Sequence, residues 1–515
     1  MLPFTSLGPD RSEDYFAEGL AVEMHDALAG VPGLVVAAQM SPALATAREA
    51  DIKALGQRLG VATVLDASVR REGDRVRINA RLSDTGTGHT LWSRSYDREM
   101  AGIFAIQSEI ADEVVNALLD VLPEERKALA DRLSPTKSAV AFDLYLKGIR
   151  RLSRQDRDAP GEAIGFFQRA LATDGSFARA QAGVCLSEVF RYEHERIADA
   201  LDKAREACAH AESLSGGSGQ ASLALAKLHH AQGNLGEAGK FYARAEADPA
   251  RKAEALVGMA LIHGSQGRHA EALRDFGQAI EASPGDDVIH SYIGYYHYLA
   301  GDLPAAIAAY RKAIEISPGD AGYWSTLGTL LANAGESDAA ADALGRSLAI
   351  EPDNHLALNN LGEIRYQSGD YAGATALYRK AASLEPADYI PWGNLGRTLL
   401  ADAATMDQAK HAFEQAALRA RAYVDARPGD ATALAALAWF SVNLGQRDEA
   451  RELVRRSEAL GGDPIEAALY NAMTFVALGE LDQSRKRIAS AREAGLSETR
   501  IASNTVLRGL AVAGP

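Results

Sequence analysis

Glycines at positions 294, 328, 362 and 396 recur every 34 residues, and prolines at 284, 318, 352 and 386 keep the same interval. Two residue types on one period commit this stretch to a structural unit of that length, stacked on copies of itself. Other positions hold the register. Trp324, Leu358 and Trp392 stand four before the glycine, and Gly301, Gly335 and Gly369 seven after it. Ala306, Ala340 and Ala374 follow at twelve, Tyr310, Leu344 and Tyr378 at sixteen, and Ala313, Ser347 and Ala381 at nineteen. Residue size gives the pattern its meaning. The small residue and the alanine twelve later mark where two antiparallel helices approach most closely, and a larger side chain there would push them apart. The residue at sixteen fills the wedge beside them. The glycine at seven closes the first helix in a left-handed turn, and the proline ends the second helix and starts the next unit. A unit this small cannot bury its own apolar face, so neighbours must stack into a solenoid.

This pattern resembles the tetratricopeptide repeat. The resemblance implies helix pairs wound into a right-handed superhelix, with the first helix of each pair lining a concave groove. The same ruler extends outward. Gly267, Ala272, Phe276, Ala279 and Pro284 fit one unit, and Gly233, Ala238, Tyr242, Ala245 and Pro249 the one before it. Gly148, Ala163, Phe167 and Ala170 read as a first unit lengthened by about three residues, and 183–211 as a degenerate second. Pro428 lies 42 residues after Pro386, so the unit from about 389 to 430 carries about eight extra residues, after which Gly445 and Gly479 are again 34 apart. About ten units are expected over 141–498, the first two degenerate, followed by a capping helix from Glu498 to Leu510 and a tail, 499–515 in all.

The first 120 residues follow another period. From Arg75 to Leu82, Arg75, Arg77, Asn79 and Arg81 alternate with Val76, Ile78, Ala80 and Leu82, the pattern of a half-buried strand. Strands are expected at Leu2–Phe4, Leu34–Ala38, Val61–Arg71, Arg75–Leu82 and His89–Tyr96, with helices at Asp14–Ala29, Ile52–Leu59 and Ile103–Leu119. A linker over 121–140, with Pro123 and Pro135, leads into the repeats. The expected fold class is therefore a small α/β N-terminal domain plus an all-α solenoid. Leu2-Pro3-Phe4, Tyr15-Phe16-Ala17-Glu18-Gly19-Leu20, Leu59-Gly60-Val61, Ser68-Val69-Arg70-Arg71, Leu91-Trp92-Ser93 and Tyr96-Asp97-Arg98 resemble the TolB-like, or FlgO-like, amino-terminal domain of bacterial signalling proteins. In that family the domain sits between an upstream class III adenylate cyclase or winged-helix DNA-binding domain and a downstream tetratricopeptide array. The resemblance thus implies an effector upstream of Met1 or encoded separately.

Composition excludes several classes. Among 515 residues the net charge is −15, and acids outnumber bases both in the first 120 residues and in the rest, so no basic nucleic-acid footprint is present. The most apolar stretch, Val31 to Ala47, contains two prolines and a glycine and falls short of the ~20 residues that span a bilayer. The start, Met1-Leu2-Pro3-Phe4, has no basic segment followed by an apolar core. The expected compartment is the cytoplasm, or the periplasm if a leader or anchor precedes Met1. Two cysteines, Cys185 and Cys208, exclude a disulfide scaffold and a four-cysteine zinc site, and on neighbouring helices they read as small buried residues rather than a redox pair.

The remaining motifs fall short of any chemistry. Gly233 to Lys240 imitates a phosphate loop, but it is one residue too long and Phe241 replaces the hydroxyl that would hold magnesium. Gly216-Gly217-Ser218-Gly219 has no preceding strand and reads as an inter-repeat loop. The twelve histidines form no His-Glu-x-x-His motif. No nucleophile, base and oxyanion set can be assembled. The expectation is no catalytic residue, no metal, no cofactor and no enzyme activity. Seven arginines between Arg70 and Arg98 against four acids make one locally basic patch, read as a solvated sheet face in preference to a phosphate-binding one.

The resemblance places groove residues three before, one after and four after the small residue: Ser291, Tyr295, Tyr298, Ser325, Thr329, Asn359, Glu363, Tyr366, Gly393 and Arg397. Two before it stand Asn360 and Asn394, where related arrays use an asparagine ladder to hold an extended peptide, interrupted here by Tyr292 and Thr326. An amide offers both a donor and an acceptor for that task. The candidate partner-binding set is Tyr295, Tyr298, Asn359, Asn360, Glu363, Tyr366, Asn394 and Arg397. Helix-exposed polar residues need no function, yet that reading leaves the tyrosines and asparagines on one side unexplained. The leading expectation is a non-enzymatic adaptor or regulatory arm for protein or peptide partners. The alternative is the regulatory C-terminal portion of a class III adenylate cyclase or winged-helix regulator, and a third, envelope-associated reading comes from the TolB-like resemblance.

Overall fold

Alternation and repeat spacing divide the chain into a sheet and a run of helix hairpins. The computed structural model describes residues 1–8, 14–31, 33–37, 52–118, 129, 132–153, 159–195, 198–215, 218–460, 465–496 and 498–510. They form two compact units, Met1–Gly319 and Asp320–Pro515.

The first unit opens with β1 (Thr5–Ser6), α1 (Asp14–Ala29), α2 (Ile52–Leu59), β2 (Thr63–Glu72), β3 (Arg75–Asp84), β4 (Thr90–Glu99) and α3 (Ile103–Leu118). The sheet order is β1-β2-β3-β4, with β1 parallel to β2 and the other pairs antiparallel. The alternation in β3 sorts its faces: Val76, Ile78, Ala80 and Leu82 are buried, while Arg75, Arg77, Asn79 and Arg81 point outward. Two strand expectations are corrected. Leu2 N–H reaches the Leu65 carbonyl at 2.9 Å, but the ladder begins only at Thr5, because Pro3 has no N–H to donate. Residues 34–37 form no strand; Val35 is exposed, and the Ala37 carbonyl bonds the His25 ring instead of a neighbouring strand. Ala38 lies outside the described residues, as do Leu119 and most of the 121–131 stretch.

Ten helix pairs follow among the described residues. In the first unit they are α4 (Ala139–Ser153) with α5 (Ala159–Thr173), α6 (Ala178–Glu195) with α7 (Ala198–Ser215), α8 (Gly219–Ala231) with α9 (Leu235–Glu246), α10 (Lys252–Ser265) with α11 (His269–Ala282), and α12 (Asp287–Leu299) with α13 (Leu303–Ile316). The second unit holds α14 (Ala321–Asn333) with α15 (Ser337–Ile350), α16 (His355–Gln367) with α17 (Tyr371–Leu384), α18 (Ile390–Leu399) with α19 (Met406–Ala426), α20 (Ala431–Asn443) with α21 (Arg447–Leu460), and α22 (Glu466–Leu478) with α23 (Leu481–Glu493). A short helix α24 (Glu498–Ser503) and a 3-10 turn at Arg508–Leu510 end it.

The small-residue comb has the expected steric cause. A Cβ on Gly294 would stand 2.6 Å from Tyr310, on Gly328 2.6 Å from Leu344, on Gly362 2.7 Å from Tyr378, and on Gly396 2.8 Å from Phe413. Gly301, Gly335 and Gly369 adopt φ of +77°, +83° and +84°, the left-handed turn that closes a first helix. The extra residues of the lengthened unit become a 3-10 turn at Ala403–Thr405 and a 21-residue α19, where the second helix α17 has 14.

One apolar core joins the sheet to the first repeats. Phe16, Leu20 and Met24 of α1 meet Val76 and Ile78 of β3, Ile106 and Ile110 of α3, and Phe142 and Tyr145 of α4. Polar contacts fasten the same seam. Tyr15 donates to Asp143 at 2.6 Å, Arg71 and Lys147 pair with Asp143, and Tyr145 donates to Glu23 at 3.0 Å. The basic patch is neutralised in place, with Arg75 and Arg77 on Asp97, Arg81 on Asp66 and Arg94 on Glu113. The cysteine reading is corrected: Cys185 and Cys208 are disulfide-bonded. The α6–α7 hairpin buries both side chains and sets their Cα atoms 4.8 Å apart, within bridging reach.

Candidate interaction groove

In the second unit, the first helices of successive pairs turn polar faces toward one cavity of about 290 Å³. On α16, Asn359, Asn360, Glu363 and Tyr366 fall at spacings that share a helix face, and α18 adds Asn394 and Arg397. Tyr470 on α22 also lines it. Six of the eight candidate residues therefore meet around one space.

The asparagines bond to one another. Asn394 Nδ2 donates to Asn359 Oδ1 at 3.1 Å, Asn359 Nδ2 lies 3.5 Å from Asn360 Oδ1, and Asn360 Nδ2 donates to Thr329 Oγ1 at 2.8 Å. Each carboxamide has two N–H groups, so this internal ladder leaves donor capacity for a ligand. The charged centre is tighter. Glu363 accepts from Arg397, from Tyr378 OH at 3.0 Å and from Gln367 Nε2 at 3.1 Å. Burial pushes the Glu363 carboxyl up, but Arg397, the Gln367 hydrogen bond and Arg500 outweigh it and hold it below the usual carboxylate range. Burial likewise opposes the charge on Arg397, and Glu363 overrides it to raise its affinity for the proton. Among the described residues the buried Nε of Arg397 has no hydrogen-bond partner. The pair is thus an ionised, fixed anchor at the cavity wall.

Two candidates differ from expectation. Tyr366 is only 1% exposed, and its hydroxyl is taken by Thr505. Gly393 faces the next pair, where a Cβ would stand 2.5 Å from Phe440, so it serves packing and not the groove. Tyr295 and Tyr298 belong to the first unit, on α12, where they are 46% and 44% exposed beside Tyr292. The periodic reading missed Arg500 and Asn504, which also line the cavity. They lie past the last repeat, where no positional rule applies, and nothing in the sequence marks them.

The first unit holds a larger cavity of about 710 Å³ with Arg132, Arg179, Arg244 and Arg251 on its walls. Each is paired with a carboxylate: Asp248, Glu23, Glu212 and Asp26 respectively. The pairs on Glu23 and Asp26 fasten α1 to the repeats, and all four spend their cationic charge within the fold. Lys240 of the imitation phosphate loop donates to Glu237 at 2.7 Å. Gly216 and Gly217 lie outside the described residues. His229 stacks on Phe241 and His230 meets Tyr242 edge-on. Among the described residues no group of three metal-ligating side chains is assembled, and no helix is long and apolar enough to cross a membrane.

Residues 257–321 and 325–389 match the tetratricopeptide repeat family, whose repeats are protein-interaction modules. The chain is 34% identical over 189 residues to a protein of Rhizobium meliloti (strain 1021) named putative adenylate cyclase 3. That match takes in 36% of this chain and 32% of the relative, so the chain spans about a third of the relative's length. Among solved structures, it is similar to a tetratricopeptide repeat protein from Parabacteroides merdae ATCC 43184, with TM-score 0.36, 15% identity, and coverage of 50% of this chain and 98% of that one. PilF of Pseudomonas aeruginosa gives a TM-score of 0.29 at 20% identity, covering 42% and 94%, and the MamA protein gives 0.26 at 21%, covering 34% and 91%.

Proposed function

We propose that this chain is a non-enzymatic interaction module, an adaptor or regulatory arm in bacterial signalling, that holds a protein or peptide partner in the groove of α16, α18 and α22. The observation that supports it most is the convergence of Asn359, Asn360, Glu363, Asn394 and Arg397 on one cavity. Such a surface offers amide donors and acceptors for a peptide backbone and a fixed charged anchor for its side chains. In the first unit, Tyr295 and Tyr298 on α12 offer a separate exposed aromatic area that suits protein contact. The module works in the cytoplasm, needs no cofactor or metal and binds no nucleic acid. Replacing Asn360 and Asn394 together by alanine tests the reading in a pull-down from native cell extract, with melting temperature as the control. Loss of a specific partner is expected, and an unchanged set of partners would move the site elsewhere.

A second reading has its own support in the similarity to a protein named adenylate cyclase. In it the chain is the regulatory portion of, or a separate partner for, a cyclase or winged-helix effector, with the sheet domain TolB-like. The motif residues Phe16, Val69 and Tyr96 are core residues and Arg71 pairs with Asp143, so the domain is fastened to the repeats as a regulatory coupling would need. Reading the genome in frame upstream of Met1, and assaying cyclase activity with and without the added chain, separates the two readings.

A further inference from the structure

The segment after the last repeat does not simply cover the end of α23. It runs back along the groove side. Thr505 N–H donates to Tyr366 OH at 2.9 Å, and the Tyr366 and Thr505 hydroxyls are 2.7 Å apart, across 139 residues and three helix pairs. Arg500 pairs with Glu466 of α22, Asn504 Nδ2 donates to Met473 Sδ at 3.3 Å, and Ile501 and Leu507 are fully buried. Arg500 and Asn504 form one wall of the cavity whose other walls are α16, α18 and α22. An end cap accounts for buried Ile501 and Leu507. It does not account for a main-chain N–H delivered to a groove tyrosine on α16.

We infer that residues 498–510 are a resident, displaceable wall of this groove, held at Tyr366, and that an external partner is a short peptide of the same chemistry that takes their place. That peptide presents two aliphatic anchors six residues apart, as Ile501 and Leu507 are, with a main-chain N–H between them for Tyr366. The inference rests on reading the groove as a binding surface. Binding is then self-regulated: the partner gains access only in the fraction of molecules whose own segment has left, and its apparent affinity falls by that fraction.

The test uses the full chain and a fluorescein-labelled synthetic peptide of residues 498–510, followed by fluorescence polarisation. In the chain carrying Ile501→Asp and Leu507→Asp the segment is released, and the peptide binds about tenfold or more tightly than to the unaltered chain. Adding Tyr366→Phe to the released chain weakens the peptide again. Equal affinity for both chains, or no binding by a released chain with native circular dichroism, overturns the inference. A dimer of the unaltered chain that exchanges these segments also overturns it, by assigning that wall to a second copy. If the released chain fails to fold, hydrogen exchange on the unaltered chain decides: Thr505 and Leu507 amides that open independently of α20 support a displaceable segment, and exchange only through global unfolding overturns it. The peptide assay reads the contact of Thr505 with Tyr366 and the pull-down reads Asn360 and Asn394, so failure here and failure of the groove reading are told apart.

Discussion

The guanidinium of Arg397 lies over the ring of Tyr366, 4.3 Å from its centroid, while its Nη2 donates to Glu363 on the same helix as that tyrosine. One side chain of α18 thereby holds two of α16 and fixes the wall of the groove. Removing it by Arg397→Met leaves a half-buried carboxylate without its cation, which costs about 2–4 kcal/mol in the second unit. The sign with pH follows from Glu363, whose carboxyl is held below its ordinary value in the fold. Its contribution is present above the ordinary carboxylate range and is lost as pH falls through the depressed value. Urea unfolding should therefore show a large difference between wild type and Arg397→Met at neutral pH and a smaller one in acid. An equal difference at both would contradict the ionised pair.

Gly328→Leu tests the steric comb. Even a Cβ there would stand 2.6 Å from Leu344 and 3.2 Å from the Ala340 carbonyl oxygen. The α14–α15 pair has to open, at about 1–3 kcal/mol. Because each pair is stabilised by its neighbours, hydrogen-exchange protection should fall in α14 and α15 and, more weakly, in α16 and α17. Unaltered protection across residues 321–384 would argue against coupled stacking.

The helix pairs were legible because a residue that cannot be enlarged must recur wherever helices touch, so Gly294, Gly328, Gly362 and Gly396 carry the fold in their spacing. A further signal went unread. The residue two after each comb proline caps the next first helix: Asp286, Asp320, Asn354 and Asp430 accept from the first-turn N–H groups, and Asp388 accepts from Ile390 at 2.9 Å. The Leu34 to Ala38 strand misled because an apolar run says nothing about whether an edge is available to pair with. In the groove, periodicity could place Asn359, Asn360, Glu363, Asn394 and Arg397 on one side. It could not reveal that Thr505 reaches Tyr366, because a tertiary contact over 139 residues leaves no periodic trace. Nor could spacing distinguish two buried thiols from a bond between Cys185 and Cys208.

His25 should make the first unit acid-sensitive. Burial lowers its pKa from the usual imidazole value to about 4, against the hydrogen bond from Nε2 to the Ala37 carbonyl. The neutral ring is the form the fold accepts. Unfolded chains bind the proton first, so stability is full above about pH 6.5 and falls as pH drops toward 4, by at most about 3 kcal/mol. Asp286, raised to about 6 chiefly by burial, acts in the opposite sense over part of that window, since its neutral form is favoured in the fold. His25→Gln should flatten the acid limb of a melting-temperature profile between pH 7 and 4. A parallel profile would remove His25 as the cause.

The Cys185–Cys208 bond closes a loop with a sequence separation of 23 between α6 and α7. Constraining the unfolded chain over such a loop contributes about 3 kcal/mol in the chain-entropy model. Both side chains are completely buried, so alanine fits either site without strain and the double variant removes the bond together with two packed sulfurs. Reductant should lower the unfolding midpoint of the wild type to near that of Cys185→Ala with Cys208→Ala, and leave the double variant unchanged. Thiol titration of the denatured protein should find none before reduction and two after. The same bond reads out the compartment, because the cytosolic glutathione pool reduces ordinary disulfides while the periplasm keeps them. Quenching cells in acid, then unfolding the chain with an alkylating agent and no reductant before weighing it, should find Cys185 and Cys208 modified if the module works in the cytoplasm as proposed. A pair in the unfolded chain that the agent modifies only after reduction would place it in an oxidising compartment instead.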